Sequence, residues 1–259
     1  MTLRAEGLVV RHPGQQAPSL KGIDLAFPEG SFTVLVGPSG CGKTTLLYCL
    51  AGLLAPTDGR VTDGTETVQR PDPRRGMAFQ RDILFPWMSV EANLKFALRA
   101  RSVPSRLRGD RVRDLLAAVG LSDRVAKQQP NQLSGGMRQR IGLARLLAGE
   151  PEVMLMDEPF AALDAQTRLR MQDLVVDLWS STGRTVVFVT HDVDEAIRLS
   201  DRIVVLADGS VRSAVDNPLP RPRPADRLAD LAGYSDLRRW LHNELGSDTA
   251  DSVAPMSIS

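Results

Sequence analysis

The run Gly37-Pro38-Ser39-Gly40-Cys41-Gly42-Lys43-Thr44-Thr45 carries the residue types of a phosphate cradle. It fits the pattern G-x-x-x-x-G-K-[ST], in which glycines let the backbone curl until successive N–H groups point inward. Lys43 can reach the β- and γ-phosphates of a nucleotide as a point charge. The Thr44 hydroxyl can bind Mg²⁺, and Thr45 can add an α-phosphate contact. The flanks supply what the pattern needs. Ser31 to Val36 is apolar and β-branched, as in a buried strand, and Thr44 to Leu54 repeats apolar residues at helical spacing. A helix starting on the loop adds unpaired N–H groups and its dipole to the anion site. A chance glycine-rich turn is the plainer reading, and the strand before it and the helix after it argue against that.

Three further groups could share in the chemistry. Val153-Met154-Leu155-Met156 runs straight into Asp157-Glu158-Pro159. An acidic residue at the end of a buried strand in such a fold faces the nucleotide. Asp157 is expected to hold Mg²⁺ through water, and Glu158 to take a proton from the attacking water; an acidic helix cap is the alternative. His191 follows the apolar run Thr185 to Val189. It would sit at the same sheet edge, able to hydrogen-bond a γ-phosphate, although a histidine after a strand is commonly structural. Ser134-Gly135-Gly136 opens a predicted helix from Gly135 to Leu147, where a hydroxyl cap and exposed N–H groups make a second anion site. One nucleotide does not need two γ-phosphate sites in one chain. Two subunits packed head to tail use both, each site pairing the loop of one copy with the helix end of the other.

The elements that must position these groups are legible in outline. The 259 residues allow one large domain or two small ones, and an apolar content of 42% is enough for a core. A net charge of +1 implies no polyanionic partner, so no nucleic acid is expected. Cys41 and Cys49 lack metal-ligand spacing and suit a reducing compartment. Met1 to Val10 carries charges where a secretory signal would be apolar, and no apolar run is long enough to span a bilayer. Leu3 to Val10, Ile23 to Phe27, Arg60 to Val68 and Gly76 to Phe79 read as strands. From about Phe85 to Glu150 strand signals give way to helical ones, at Val90 to Arg101 and Asp110 to Val119, and the segment reads as an inserted helical subdomain. Strands resume at Val153 and Thr185, and a hairpin follows across Asp208-Gly209. Pro218, Pro220, Pro222 and Pro224 suggest a stiff linker. Beyond it, Leu228, Leu231, Tyr234, Leu237, Leu241 and Leu245 recur at helical spacing, and Gly246 to Ser259 reads as a frayed end.

Taken together, these motifs resemble the nucleotide-binding subunit of an ABC transporter. Gly37 to Thr45 matches the Walker A motif, Gln80 the Q-loop and Leu133-Ser134-Gly135-Gly136-Met137 the signature. Val153 to Glu158 matches Walker B, Ala162-Leu163-Asp164 the D-loop and His191 the switch histidine. The match covers Leu3 to Val215, with Met137 where glutamine is usual. The resemblance implies an α/β P-loop NTPase core with a mixed, RecA-like sheet, an N-terminal antiparallel β part and an inserted helical subdomain. It also implies an ATP-binding domain over residues 1–217, with 218–259 as linker and helical tail. ATP and Mg²⁺ are the implied cofactors, with Gln80 beside Thr44 and Asp157 at the metal. His12 is the nearest candidate to stack on adenine. The implied partners are a second copy (or another ABC subunit), an integral membrane permease and, indirectly, a solute-binding protein. The implied place is the cytoplasmic face of the membrane.

Phe85-Pro86-Trp87 after the Q-loop, the run Leu133 to Arg140, and Met156 to Phe160 with Ala162 to Arg168 narrow the resemblance to bacterial importers of the nitrate/sulfonate/taurine group. The aromatic segment is expected either at a permease contact or in the subdomain core. A pyrimidine-like solute remains open, as does a soluble ABC-type ATPase acting on DNA or the ribosome. An unrelated phosphate-loop kinase leaves Ser134-Gly135-Gly136 without a purpose.

Overall fold

Strands covered on both faces need apolar residues at every position, and the runs around the phosphate loop supply them. The computed structural model describes residues 2–14, 17–80 and 84–246. Its elements are β1 (Leu3–Val10), β2 (Leu20–Phe27), β3 (Phe32–Val36), α1 (Lys43–Ala51), β4 (Asp58–Asp63), β5 (Glu66–Thr67), β6 (Arg75–Ala78) and α2 (Val90–Ala100). They continue with α3 (Arg108–Ala118), α4 (Gly135–Ala148), β7 (Val153–Asp157), α5 (Ala165–Thr182), β8 (Thr185–Val189), α6 (Val193–Leu199), β9 (Arg202–Ala207), β10 (Ser210–Asp216) and α7 (Tyr234–Gly246).

The main sheet has the order β10-β9-β3-β8-β7-β6 and is parallel except at β10. Its alternate residues go to two different cores. Val34, Val36, Met154, Met156, Val186 and Phe188 face a layer built from α2 to α6 and the tail. Leu35, Leu155, Val187, Val189 and Val204 face α1, and beyond α1 lies the smaller antiparallel sheet β2-β1-β4-β5. Helix α1 is therefore clamped between two sheets, with Leu46, Leu47 and Leu50 fully buried. A buried ion pair, Arg75 Nη1 to Asp63 Oδ2 at 2.9 Å, ties β6 to β4.

Among the described residues, the segment between β6 and β7 holds α2, α3, α4 and short 3₁₀ turns, as its sequence suggests. Helix α6 was not visible in the sequence. It has only seven residues, nearly all buried, so no polar face marks it. The proline-rich stretch is a clamp on the core. Asn217 Nδ2 donates to the Ile197 carbonyl at 2.7 Å, and Arg223 Nη1 to the same oxygen at 3.1 Å. The Arg221 guanidinium lies 4.4 Å from the Trp179 ring centre. Leu228, Leu237 and Leu241 then join the main core. The expected frayed end, after Gly246, lies outside the described residues.

Candidate functional site

The phosphate loop links β3 to α1. Gly37 has φ 153, and a Cβ there would stand 2.1 Å from the Leu206 carbonyl oxygen. Gly42 has φ 104, and a Cβ there would meet the Ser19 carbonyl oxygen at 2.7 Å. No side chain replaces glycine at either position without moving backbone. Helices α2, α4, α5 and α6 are capped by Ser89, Ser134, Asp164 and Asp192, whose side chains accept a first-turn N–H. Helix α1 starts on Gly42 with no side-chain acceptor, so its first N–H groups remain available to an anion.

Lys43 is 7% exposed, and its Nζ donates to the carbonyls of Gly37 at 2.7 Å and Pro38 at 2.9 Å. Cys41 is buried beneath the loop, its Sγ 3.6 Å from the same ammonium. Above the loop lies a cavity of about 420 Å³, lined by Ser39, Gly40, Gly42, Lys43, Thr44 and Thr45. His12, Ser19, Gln80 and Glu158 complete its wall. That size and mixed lining suit a nucleotide.

Thr44 Oγ1 donates to Asp157 Oδ1 at 3.2 Å. Asp157 ends β7 and is 3% exposed. Burial, reinforced by the Glu158 charge, pushes its carboxyl above the usual range, against the Thr44 hydrogen bond and the Lys43 ammonium. A buried carboxylate in that setting has lone pairs left for a cation. Among the described residues no group of three or more His, Cys, Asp or Glu forms a complete metal cage. The donor set fits a phosphate-bound Mg²⁺, which takes one or two protein oxygens and leaves its other positions to phosphates and water.

Glu158 lies just beyond β7, with its side chain mostly covered. Its Oε2 accepts from Gln80 Nε2 at 3.1 Å, and its Oε1 is 3.5 Å from His191 Nδ1. The structure thus gathers the loop residues, Gln80, Asp157, Glu158 and His191 at the carboxyl edge of the main sheet, with His12, which follows β1 of the smaller sheet, on the same cavity wall. It does not bring Ser134, Gly135 and Gly136 there. Ser134 is exposed, and its Oγ accepts from Met137 N–H at 3.2 Å. Gly136 packs closely on the loop before α5, where a Cβ would stand 3.2 Å from the Ala162 carbonyl oxygen.

Two side chains without a sequence-assigned role reach the same loops. Gln139 Oε1 accepts from Ala162 N–H at 2.9 Å, and Arg168 Nη2 donates to the Leu163 carbonyl at 3.1 Å. Both lie inside motifs visible in the sequence, but only folding shows what they touch. The aromatic segment is split. Phe85 is half-buried against Phe96, ring centres 5.1 Å apart, with the Arg145 guanidinium 5.0 Å from its ring centre. Trp87 is 71% exposed.

The family described as ABC transporter matches residues 20–161. The taurine import ATP-binding protein TauB of Ruegeria pomeroyi is 42% identical over 94% of this chain and 88% of its own length. An uncharacterized ABC transporter ATP-binding protein of Methanocaldococcus jannaschii, MJ0412, is 44% identical over 94% of this chain and 92% of its own. Among solved structures, the dimeric post-hydrolysis state of the ATP-binding cassette MJ0796 with ADP and Pi superposes with a TM-score of 0.78. It is 32% identical and covers 83% of this chain and 98% of that one.

Proposed function

The chain belongs to the ATP-binding proteins of ABC transporters, and we propose that it is the ATP-hydrolysing subunit of an importer for a small sulfonate such as taurine. The family membership rests on the match over residues 20–161 and on relatives above 40% identity across most of both chains. The solute comes from the TauB relatives, of which the Roseobacter denitrificans protein is another, 44% identical over 90% of this chain. The ATP-binding domain is taken to end near residue 217. No helix among the described residues is long and apolar enough to cross a membrane. A separate permease is therefore proposed to hold the chain at the cytoplasmic face and to receive solute from a binding protein.

The observation that carries the catalytic reading is that Lys43, Thr44, Gln80 and Glu158 line one cavity, with Asp157 bonded to Thr44 and His191 beside Glu158, while the Ser134 helix end is exposed elsewhere on the chain. Lys43 exchanges the Gly37 and Pro38 carbonyls for β- and γ-phosphate oxygens. The α1 N–H groups hold the phosphate chain, and His12 lies against the base. Thr44, Asp157 and Gln80 would hold Mg²⁺, which would neutralise phosphate charge when bound. Glu158 accepts the proton of the attacking water, oriented by Gln80, and His191 bonds the γ-phosphate. The Ser134 turn of a second copy closes the site from the other side. Closure does work because ATP favours the closed pair over the open one. Exposed Trp87 and Phe96 flank half-buried Phe85, an aromatic patch suited to the permease.

Hydrolysis and binding assays on purified variants test the scheme. Glu158→Gln should abolish turnover while ATP-dependent pairing persists, and hydrolysis near the parent rate would remove Glu158 from this role. Lys43→Ala should weaken ATP binding, and unchanged nucleotide affinity would contradict the loop assignment.

A further inference from the structure

Two side chains that the cycle does not use close a circuit around Glu158. Gln139 lies on α4, little more than one turn beyond Ser134. Its Oε1 accepts from the Ala162 N–H at 2.9 Å, and its Nε2 reaches the Gln80 carbonyl oxygen at 3.5 Å. Arg168 lies on the first turn of α5. Its Nη2 donates to the Leu163 carbonyl at 3.1 Å, and its Nη1 stands 4.0 Å from the carboxylate of Asp192, the neighbour of His191. Adjacent residues of one loop are therefore held from two sides, Ala162 by α4 and Leu163 by α5. The circuit closes on the base itself, through Gln80 at 3.1 Å and His191 at 3.5 Å.

We propose that Gln139 and Arg168 are positioning residues that couple the Ser134 end of α4 to Glu158 on the same chain. The inference rests on the cycle above, in which that helix end grips the nucleotide held by the other copy. A helix moves as a rod, so a displacement of Ser134 carries Gln139 with it. Gln139 then acts at once on Gln80, which orients the base, and on Ala162. The two short links fix the loop between the helices. The links at 3.5 and 4.0 Å are long for a hydrogen bond and an ion pair, and they have room to shorten. Shortening them turns Gln80 and the Asp192-His191 pair about Glu158, where small displacements matter steeply for rate. Neither side chain is a core support. Both are half-buried, while Ile141 and Leu143 anchor α4 and Met171 and Val175 anchor α5.

The test uses the full-length chain with Gln139→Ala, Arg168→Ala, their combination, and Arg168→Lys. Turnover, its Hill coefficient for ATP, affinity for a fluorescent ATP analogue and melting temperature are measured for each. Each alanine variant should lose roughly ten- to a hundredfold in kcat, with nucleotide affinity and melting temperature unchanged and the Hill coefficient falling toward one. The combination should be no worse than the poorer single variant, because one cut already opens the circuit. Arg168→Lys, which keeps a donor for Leu163, should recover part of the rate. Parent-like turnover, fully additive losses, or a rate loss matched by lost affinity and stability would each overturn the inference. Hydrolysis surviving in Glu158→Gln would sink the cycle itself. An inactive Glu158→Gln alongside parent-like circuit variants would sink only the coupling.

Discussion

Asn93→Leu asks how firmly the aromatic segment is held and whether its shape matters to a permease. The Asn93 side chain is 0% exposed. Its Oδ1 accepts from the Phe85 N–H at 2.8 Å, and its Nδ2 donates to the carbonyls of Phe85 at 3.3 Å, Met88 at 3.2 Å and Ser89 at 3.0 Å. Leucine has a similar volume and none of these bonds. Two carbonyls keep a second donor: Phe85 bonds to Met88 N–H at 3.0 Å and Ser89 to Asn93 N–H at 2.9 Å. The Phe85 N–H and the Met88 carbonyl lose the partner that Asn93 supplies. An orphaned buried polar group costs about 1–3 kcal/mol. Phe85 and Met88 are only half-buried, so the low end applies and the sum is about 2–3 kcal/mol. At roughly 2–4 °C per kcal/mol for a chain of this size, the melting temperature should fall by about 5–10 °C. None of the hydrogen-bond partners of the Asn93 side chain lines the nucleotide cavity, so ATPase activity of the isolated chain below its melting point should stay near the parent's. Stimulation by a reconstituted permease should drop, because Trp87 and Phe85 are no longer held in one presentation. A melting shift under about 2 °C would refute the energetic reasoning. A large shift with full permease stimulation would refute the docking role of the segment.

The remaining expectations concern affinity and pH. His12→Ala should weaken ATP binding about fivefold, the low end of what loss of a stacked base costs, and His12→Tyr should restore it; titration with a fluorescent nucleotide decides, and parent-like affinity in the alanine variant would clear His12 of any contact. Glu195 is a separate case. Burial, the largest influence, holds its carboxyl above the usual range, aided by Asp192 and opposed by bonds from Thr190 and Gln172 and by Arg168. A carboxyl whose folded pKa is raised favours the folded state below its unfolded value and loses that contribution as pH rises through the folded one. Glu195→Gln keeps an acceptor for Gln172 Nε2, which sits 2.8 Å away. The variant should therefore melt level with the parent below about pH 4.5 and above it at neutral pH, and a parent that is the more stable of the two at neutral pH would contradict the sign.

What could be read from the sequence was local. Ser134 as a helix cap needs only a hydroxyl and an N–H three residues on, and that bond forms at 3.2 Å. Continuous apolar runs such as Val153 to Met156 announce a doubly covered strand because alternate residues face different cores. Gln139 could not be read, since its partners Ala162 and Gln80 lie 23 and 59 residues away and only the packing of α4 against the sheet brings them near. The proline-rich stretch misleads for a different reason. Its composition is that of a spacer, yet Arg223 within it is 7% exposed and bonded to the carbonyl oxygens of Leu219 and Ile197. Nothing in a proline pattern says which intervening side chain is buried.

The backbone at Glu158 explains why binding and turnover should separate under mutation. Glu158 has φ 42, a region that costs a non-glycine residue on the order of 1–3 kcal/mol. It persists because the surroundings over-determine it: its N–H donates to the Val189 carbonyl at 3.1 Å and its carbonyl accepts from Ala161 N–H at 3.2 Å. The sheet edge therefore sets where the carboxylate stands before any loop moves. The loops carrying Gln80 and His191 decide only how its two oxygens are oriented. Lys43, by contrast, belongs to the sheet-anchored loop proposed to meet the phosphates. Damage to that loop should appear in nucleotide affinity, and damage to the loop links should appear in turnover at unchanged affinity. A variant of Gln80 that lost both in equal measure would show that orientation and binding are not divided in this way.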